Sequence, residues 1–160
     1  RVFHFNTTRH PTAEWVMQQL REAFPEASPY RYVILDRDSK FDAEVISFLK
    51  ATGLKPKRTS IQSPWQNGTA ERWVGGCRKE LLDFVIPLNE RHVRRLLREW
   101  VAHYNRGRPH TSLGPGLPDP PHDGLASCSS GHRIRNGHRV VAAPILCGLH
   151  QKYRLEPIAA

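Results

Sequence analysis

An α/β fold is the class that this sequence predicts, on three observations. Strand-like and helix-like segments alternate from residue 2 to residue 59, which is typical of helices packed against a sheet. A nearly continuous apolar run at 30–35 suits a strand inside such a sheet. The length of 160 residues is enough for one domain with a buried core and a tail.

The first predicted elements are a short strand at 2–6 and a helix at 11–24. Pro11 and Thr12 are typical of the start of a helix, and apolar side chains then follow at helical spacing. Pro25 ends this pattern, because proline cannot continue a helix.

Three further elements complete the alternation. The strand at 30–35 is expected to be an inner strand, buried on both faces. A helix is predicted at 42–52, stopped by Gly53. The segment 55–59 is a weaker strand, and because Pro56 interrupts it we expect it near an edge of the sheet.

Asp36 and Glu71 are the most informative residues of the chain. Asp36 directly follows the predicted inner strand, at the sheet end where α/β active sites collect. Glu71 lies in the first turn of a helix predicted to begin near Thr69. Carboxylate oxygens are the ligands that Mg²⁺ takes from proteins, so the two acids predict a metal-binding edge. Asp38 is the weaker candidate, and the alternative is that both aspartates only shape a turn.

Three stretches of the sequence carry a family resemblance. They are LDRDSKF at 35–41, SPWQNGTAER at 63–72 and WVAHYNRGRPH at 100–110. In this order and at this spacing, they resemble the catalytic core of DDE-type integrases and transposases of retroviruses and bacterial insertion sequences. The resemblance covers about residues 1–118.

The resemblance implies a fold, an activity and a cofactor. The fold is a ribonuclease-H-like mixed sheet flanked by helices. The activity is DNA transposition or integration, with nicking at element ends and transfer of the strand into target DNA. It uses two Mg²⁺ or Mn²⁺ ions held by three acids. Asp36 matches the second acid of this pattern and Glu71 matches the third, so both are expected to be catalytic metal ligands.

The first acid of the pattern is not matched in this sequence. Residues 1–8 resemble the second strand of the family core and contain no carboxylate. The first strand and its aspartate are therefore expected to be missing, and the chain as given is expected to be inactive.

The charge of the chain indicates a nucleic acid partner. Lys and Arg number 24 against 15 acids, which gives a net charge of +9 and an isoelectric point near 10.0. A globular chain this basic usually meets a polyanion. Arg72, Arg78 and Lys79 follow Glu71 on the same predicted helix and are the candidate DNA contacts. The alternative is a solvated helix face.

Residues 89–105 form the clearest amphipathic helix. Its apolar stripe is expected to belong to the core, with a contact between subunits of a homo-oligomer as the alternative. After this helix, His110 is expected to have a structural role, because two-metal transfer activates its nucleophile at the metal and needs no histidine base.

The composition divides the chain into three predicted regions. Residues 1–113 are a partial integrase core, and 114–132 are a linker rich in proline and glycine. Residues 133–160 are a basic, β-like tail. There Asn136 and Gly137 are a hairpin signal between two strand-like segments.

Three functions follow from the sequence. The first is a transposase or integrase acting on element ends and target DNA. The alternatives are a non-catalytic DNA-binding remnant of a degenerate insertion element and a ribonuclease-H-like nuclease of another kind. No membrane association is expected, because the longest apolar run, 140–149, is too short to span a bilayer. Three cysteines without a C-x-x-C motif suggest reduced thiols, so a cytoplasmic location is expected.

Overall fold

The computed structural model describes residues 1–26, 29–114, 116–120, 134 and 136–158. The helices are α1 (Ala13–Ala23), α2 (Ala43–Ala51), α3 (Gly68–Glu80) and α4 (Glu90–Arg106). The strands are β1 (Tyr32–Leu35), β2 (Lys55–Arg58), β3 (His138–Ile145) and β4 (His150–Pro157). One compact unit is Phe3–Val93, and the other comprises Arg1–Val2 and the described residues from Arg94 onward.

The predicted α/β class is confirmed. β1 and β2 are parallel, in a register that pairs Tyr32 with Lys55 and Leu35 with Arg58. Parallel neighbours need a crossover connection, and α2 supplies it. Among the described residues these two strands form one small sheet and β3 and β4 form another, so a single mixed sheet is not observed there.

The helices of the first unit begin and end where their capping residues place them. The Thr12 hydroxyl accepts a hydrogen bond at the start of α1, at 3.2 Å. Asp42 Oδ1 accepts the backbone N–H groups of Glu44 and Val45 at 2.9 and 3.1 Å, which satisfies donors that a helix start leaves unpaired. Gly53, at φ +82°, follows α2, a conformation that glycine adopts without strain.

The core of this unit lies between α1, α2 and the two strands. Its buried members are Val16, Leu35, Val45, Leu49 and Leu54. Leu35 ends β1 and directly precedes Asp36, so the core fixes the strand end from which the candidate site begins.

The prediction that β1 is buried on both faces was wrong. Tyr32 and Ile34 are 51% and 53% exposed, whereas Val33 is partly buried and Leu35 is buried. Successive side chains of a strand point to opposite faces. In the described structure, the helices cover only the face that carries Val33 and Leu35.

The predicted strand at 2–6 is also absent from the structure. The backbone N–H of Val2 donates to Asn105 Oδ1 at 2.8 Å, and Asn105 Nδ2 donates to the Val2 carbonyl at 2.9 Å. Both backbone groups of Val2 are thus bonded to a side chain, and residues 2–6 take part in no strand pairing.

The predicted amphipathic helix is confirmed as α4. Leu97, Trp100 and Val101 are buried, and the Trp100 side chain is fully so. This burial favours the core interpretation of the apolar stripe. No helix in the described part of the chain is long and apolar enough to cross a membrane.

The tail is β-structured as predicted. β3 and β4 are antiparallel, and Leu146–Gly148 joins them. Leu146 and Cys147 adopt positive φ angles in this turn although neither is glycine. Asn136 and Gly137 form a turn that leads into β3. Most of the segment before that turn lies outside the described residues, so a hairpin there stays a prediction.

The described start of the predicted linker is held against the end of α4. Asp119 Oδ1 accepts from Arg1 at 2.6 Å and its Oδ2 from Arg106 at 3.0 Å. The hydrogen bond from Arg106, and then that from Arg1, lowers the pKa of the Asp119 carboxyl. Residues 121–133 and Arg135 lie outside the described residues, so most of the predicted linker does too.

Candidate active site

The ends of the two parallel strands are fastened to each other beside Asp36. The Thr59 N–H donates to the Leu35 carbonyl at 3.0 Å, which continues the strand pairing by one residue. The Arg37 guanidinium Nε donates to the Thr59 carbonyl at 2.8 Å. Asp36 therefore stands between two residues that are both tied to the end of β2.

The carboxylates of Asp36 and Asp38 differ in the groups that they contact. Asp36 is exposed, and its Oδ1 accepts the Asp38 N–H at 3.0 Å. The Asp38 carboxylate lies 2.8 Å from Lys40 Nζ and also accepts the Lys40 N–H. The hydrogen bond from the Lys40 side chain lowers the pKa of Asp38. Both aspartates thus accept a backbone N–H of the turn after β1, and only the Asp38 carboxylate is also paired with a lysine.

A second connection joins the end of β2 to the helix that carries Glu71. The Ser60 N–H donates to Gln66 Oε1 at 2.7 Å, and Gln66 Nε2 donates to Ser60 Oγ at 3.2 Å. Gln66 belongs to a short 3₁₀ helix, Pro64–Asn67, which leads directly into α3. Glu71 lies exposed in the first turn of α3.

The two carboxylates are therefore linked through a short series of contacts. It runs from the end of β1 through Thr59 and Ser60 to Gln66, and then into α3. Within the described ranges, no group of three or more His, Cys, Asp or Glu side chains could hold a metal ion.

The loop before α3 holds features that the sequence analysis did not single out. Ile61 and Trp65 are 71% and 73% exposed. Gln62 adopts φ +53°, an unfavourable conformation for a residue with a side chain. The Ser60–Gln66 contact was missed as well, because no sequence pattern marks a hydrogen bond between two polar loop residues.

The three candidate DNA contacts all lie exposed on α3. Arg78 Nε is 3.5 Å from Asp83 Oδ1, so part of its charge is compensated within the chain. Arg72 and Lys79 are exposed at the start and the end of the helix.

Two features of α3 bear on its packing. A Cβ added at Gly75 would meet nothing within 4 Å, so no close approach within the described chain requires this glycine. Cys77 is buried, and burial raises the pKa of its thiol. Cys77 therefore packs in the interior.

His110, which follows α4, contacts the end of that helix. The ring of His110 stands edge-on to that of Tyr104, with centroids 4.6 Å apart. Its Nε2 lies 3.3 Å from the Tyr104 carbonyl. These contacts agree with the structural role expected of His110, which stays a prediction.

Residues 52–118 match the model of the integrase core domain family. This match includes Glu71 and the segment around Tyr104 and His110, whereas Asp36 lies outside it. The resemblance to DDE-type integrase and transposase cores is confirmed.

The chain is also similar to individual transposases. One is the putative transposase InsD for insertion element IS2E of Escherichia coli strain K12, at 32% identity over 89 residues. Another is the transposase InsD for insertion element IS2A/D/F/H/I/K of Escherichia coli, at the same identity and over the same length. The matched part is 55% of this chain but 40% and 29% of the two relatives.

Proposed function

We propose that this chain contributes Asp36 and Glu71 to the active site of a DNA transposase, which works by phosphoryl transfer at element ends and into target DNA. The observation that carries the proposal is the series of contacts that ties the Asp36 strand end to the start of the Glu71 helix. The integrase core match and the similarity to IS2 transposases support it. We extend the α/β class to a ribonuclease-H-like core on the same grounds, with residues 1–113 as the core and 133–160 as a basic tail.

Asp36 and Glu71 are the residues that would hold Mg²⁺ or Mn²⁺. Their fit is chemical: both are exposed carboxylates, and hard divalent cations take oxygen ligands. When bound, two such ions activate an attacking oxygen and stabilise a leaving oxygen in phosphoryl transfer. The Arg37 and Ser60 contacts hold the strand ends, so the Asp36 backbone is positioned before a metal arrives.

The proposal is tested first by metal binding. We expect the chain to bind Mn²⁺ and expect Asp36→Asn and Glu71→Gln each to raise its dissociation constant about ten-fold or more. An amide is a weaker ligand than a carboxylate. If the lost ligand contributed about 1.4 kcal/mol of binding free energy, the dissociation constant rises ten-fold. Free Mn²⁺ is measured by electron paramagnetic resonance during a titration.

Asp38→Asn is the matched control for this titration. Asp38 is the neighbouring acid, but Lys40 engages its carboxylate, so Mn²⁺ affinity should be nearly unchanged. If Asp38→Asn and Asp36→Asn lose equal Mn²⁺ affinity, the ion is attracted to the negative charge of the region and not to a specific site. Unchanged affinity in both Asp36→Asn and Glu71→Gln would refute the metal site.

DNA binding through α3 makes a separate prediction. Arg72→Ala is expected to reduce the slope of log affinity against log salt concentration by about 0.9, the value for one phosphate contact. Arg78→Ala should change the slope less, because Asp83 already compensates part of its charge. Fluorescence anisotropy of labelled duplex DNA at several salt concentrations measures both slopes.

Lys50→Ala controls for the loss of one positive charge. Lys50 is exposed in the last turn of α2, away from α3 in the sequence. If Lys50→Ala lowers the slope as much as Arg72→Ala and Lys79→Ala do, the α3 residues are not specific DNA contacts.

The alternative function is DNA binding without catalysis, in a remnant of a degenerate insertion element. The observation that favours it is that the basic side chains of Arg72, Arg78 and Lys79 are all exposed on α3. In this case the chain would bind DNA with the expected salt dependence and cleave none when Mn²⁺ is supplied. Joining of a 3′-hydroxyl end to target DNA would instead exclude both a remnant and a simple nuclease.

We further propose a homo-oligomer acting on DNA in the cytoplasm, without a membrane partner.

A further inference from the structure

We propose that Gln66 is a positioning residue, whose contact with Ser60 sets where Glu71 lies relative to Asp36. The inference rests on the proposed metal site and concerns a residue that is not a metal ligand. It begins from the two hydrogen bonds of Gln66: its Oε1 accepts the Ser60 N–H at 2.7 Å, and its Nε2 donates to Ser60 Oγ at 3.2 Å.

Burial along α3 shows why this contact matters. Cys77 is the buried residue of α3, and it lies in the last part of the helix. Gly68, Thr69, Glu71 and Arg72, at its start, are all exposed. Because exposed side chains provide little packing, the start of α3 depends on what its backbone is attached to.

The short 3₁₀ helix before α3 is what the start of α3 is attached to. Gln66 lies inside it, and its Asn67 makes no side-chain cap on α3. Ser60 follows Thr59, which is itself held by the Leu35 carbonyl and by Arg37. Gln66 therefore anchors the approach to Glu71 at the strand end that carries Asp36.

The conformation of the intervening loop agrees with an anchored segment. Gln62 lies at φ +53°, and a residue with a side chain keeps such an angle only when surrounding contacts impose it. The two bonds between Ser60 and Gln66 close the loop around Gln62 and supply such a constraint.

The test is Mn²⁺ affinity in variants that remove the contact while keeping the side-chain length. Gln66→Met loses both hydrogen bonds and should raise the Mn²⁺ dissociation constant on the order of five-fold, the equivalent of one typical net hydrogen bond. Ser60→Ala keeps the backbone bond and should have a smaller effect. The double variant should behave like Gln66→Met, because Ser60 Oγ has no role once Gln66 is replaced.

Gln18→Met is the matched control. Gln18 is an exposed residue of α1, hydrogen-bonded through Nε2 to Glu22 at 3.0 Å, and its replacement should leave Mn²⁺ affinity unchanged. All titrations are run well below the melting temperature of each variant. A purely structural role for Gln66 would lower the melting temperature and leave the affinity as it is, which would overturn the inference.

The outcomes separate this inference from the proposed function. Loss of Mn²⁺ affinity in Asp36→Asn with wild-type affinity in Gln66→Met would refute the positioning role and leave the metal site standing. If Asp36→Asn and Glu71→Gln bind normally, the metal site itself fails. Should Gln66→Met not fold, Ser60→Ala decides alone. An unchanged Mn²⁺ dissociation constant in Ser60→Ala would refute the role, and a dissociation constant raised about two-fold would support it.

Discussion

Replacing Trp100 with alanine is expected to lower the free energy of unfolding by about 3–5 kcal/mol. Trp100 has 0% exposure and is the largest of the fully buried side chains among the described residues. Its removal loses apolar burial and leaves a cavity that the surrounding residues fill only in part. Since small domains are stable by about 5–15 kcal/mol, such a loss would unfold a sizeable fraction of molecules on mild heating. Urea denaturation, with amide exchange of α4, measures the change.

Trp65 provides a matched control for Trp100. It is the same residue type but is 73% exposed, so Trp65→Ala should change stability by no more than about 0.5 kcal/mol. If Trp100→Ala were as stable as Trp65→Ala, the burial of Trp100 and the core role of the α4 stripe would both be wrong.

Replacing Leu49 with alanine is expected to cost about 2–5 kcal/mol in the Phe3–Val93 unit. Leu49 is 1% exposed and belongs to the same buried cluster as Leu35 and Val45. Leu35 is the residue before Asp36. Looser packing of this buried cluster should therefore also weaken Mn²⁺ binding at the proposed site. We therefore expect a lower urea midpoint together with weaker Mn²⁺ binding.

Leu88→Ala is the comparison for this change. Leu88 lies in the same unit but is 74% exposed, so its truncation should affect neither stability nor Mn²⁺ affinity appreciably. A Leu49→Ala variant that loses stability but binds Mn²⁺ as tightly as the wild type would show that the Asp36 edge is independent of the core.

Local sequence patterns predicted most of the elements well. The helices around Val16, Leu49 and Trp100 were found because their apolar residues recur at helical spacing, which is visible in any short window of sequence. Thr12 and Gly53 gave boundaries that the structure reproduces within a few residues. The α/β class followed from the same alternation, whereas the parallel pairing of the two strands that flank α2 is a finding of the structure.

The errors have a common physical origin. The strand at 30–35 was expected to be buried on both faces from its apolar composition, but Ile34 is half exposed. The strand at 2–6 is absent, and the Val2 backbone is hydrogen-bonded to the Asn105 side chain instead. Both outcomes depend on what lies beside the segment, and residues far apart in sequence decide that.

For the proposed site, Asp36 and Glu71 are predicted from the sequence alone, because residue type and flanking pattern are local properties. The contacts of Arg37 with Thr59 and of Gln66 with Ser60 emerged only from the folded chain. Hydrogen bonds between loop residues depend on the path that the backbone takes between them. That path is set by packing of the whole unit, which no short stretch of sequence encodes.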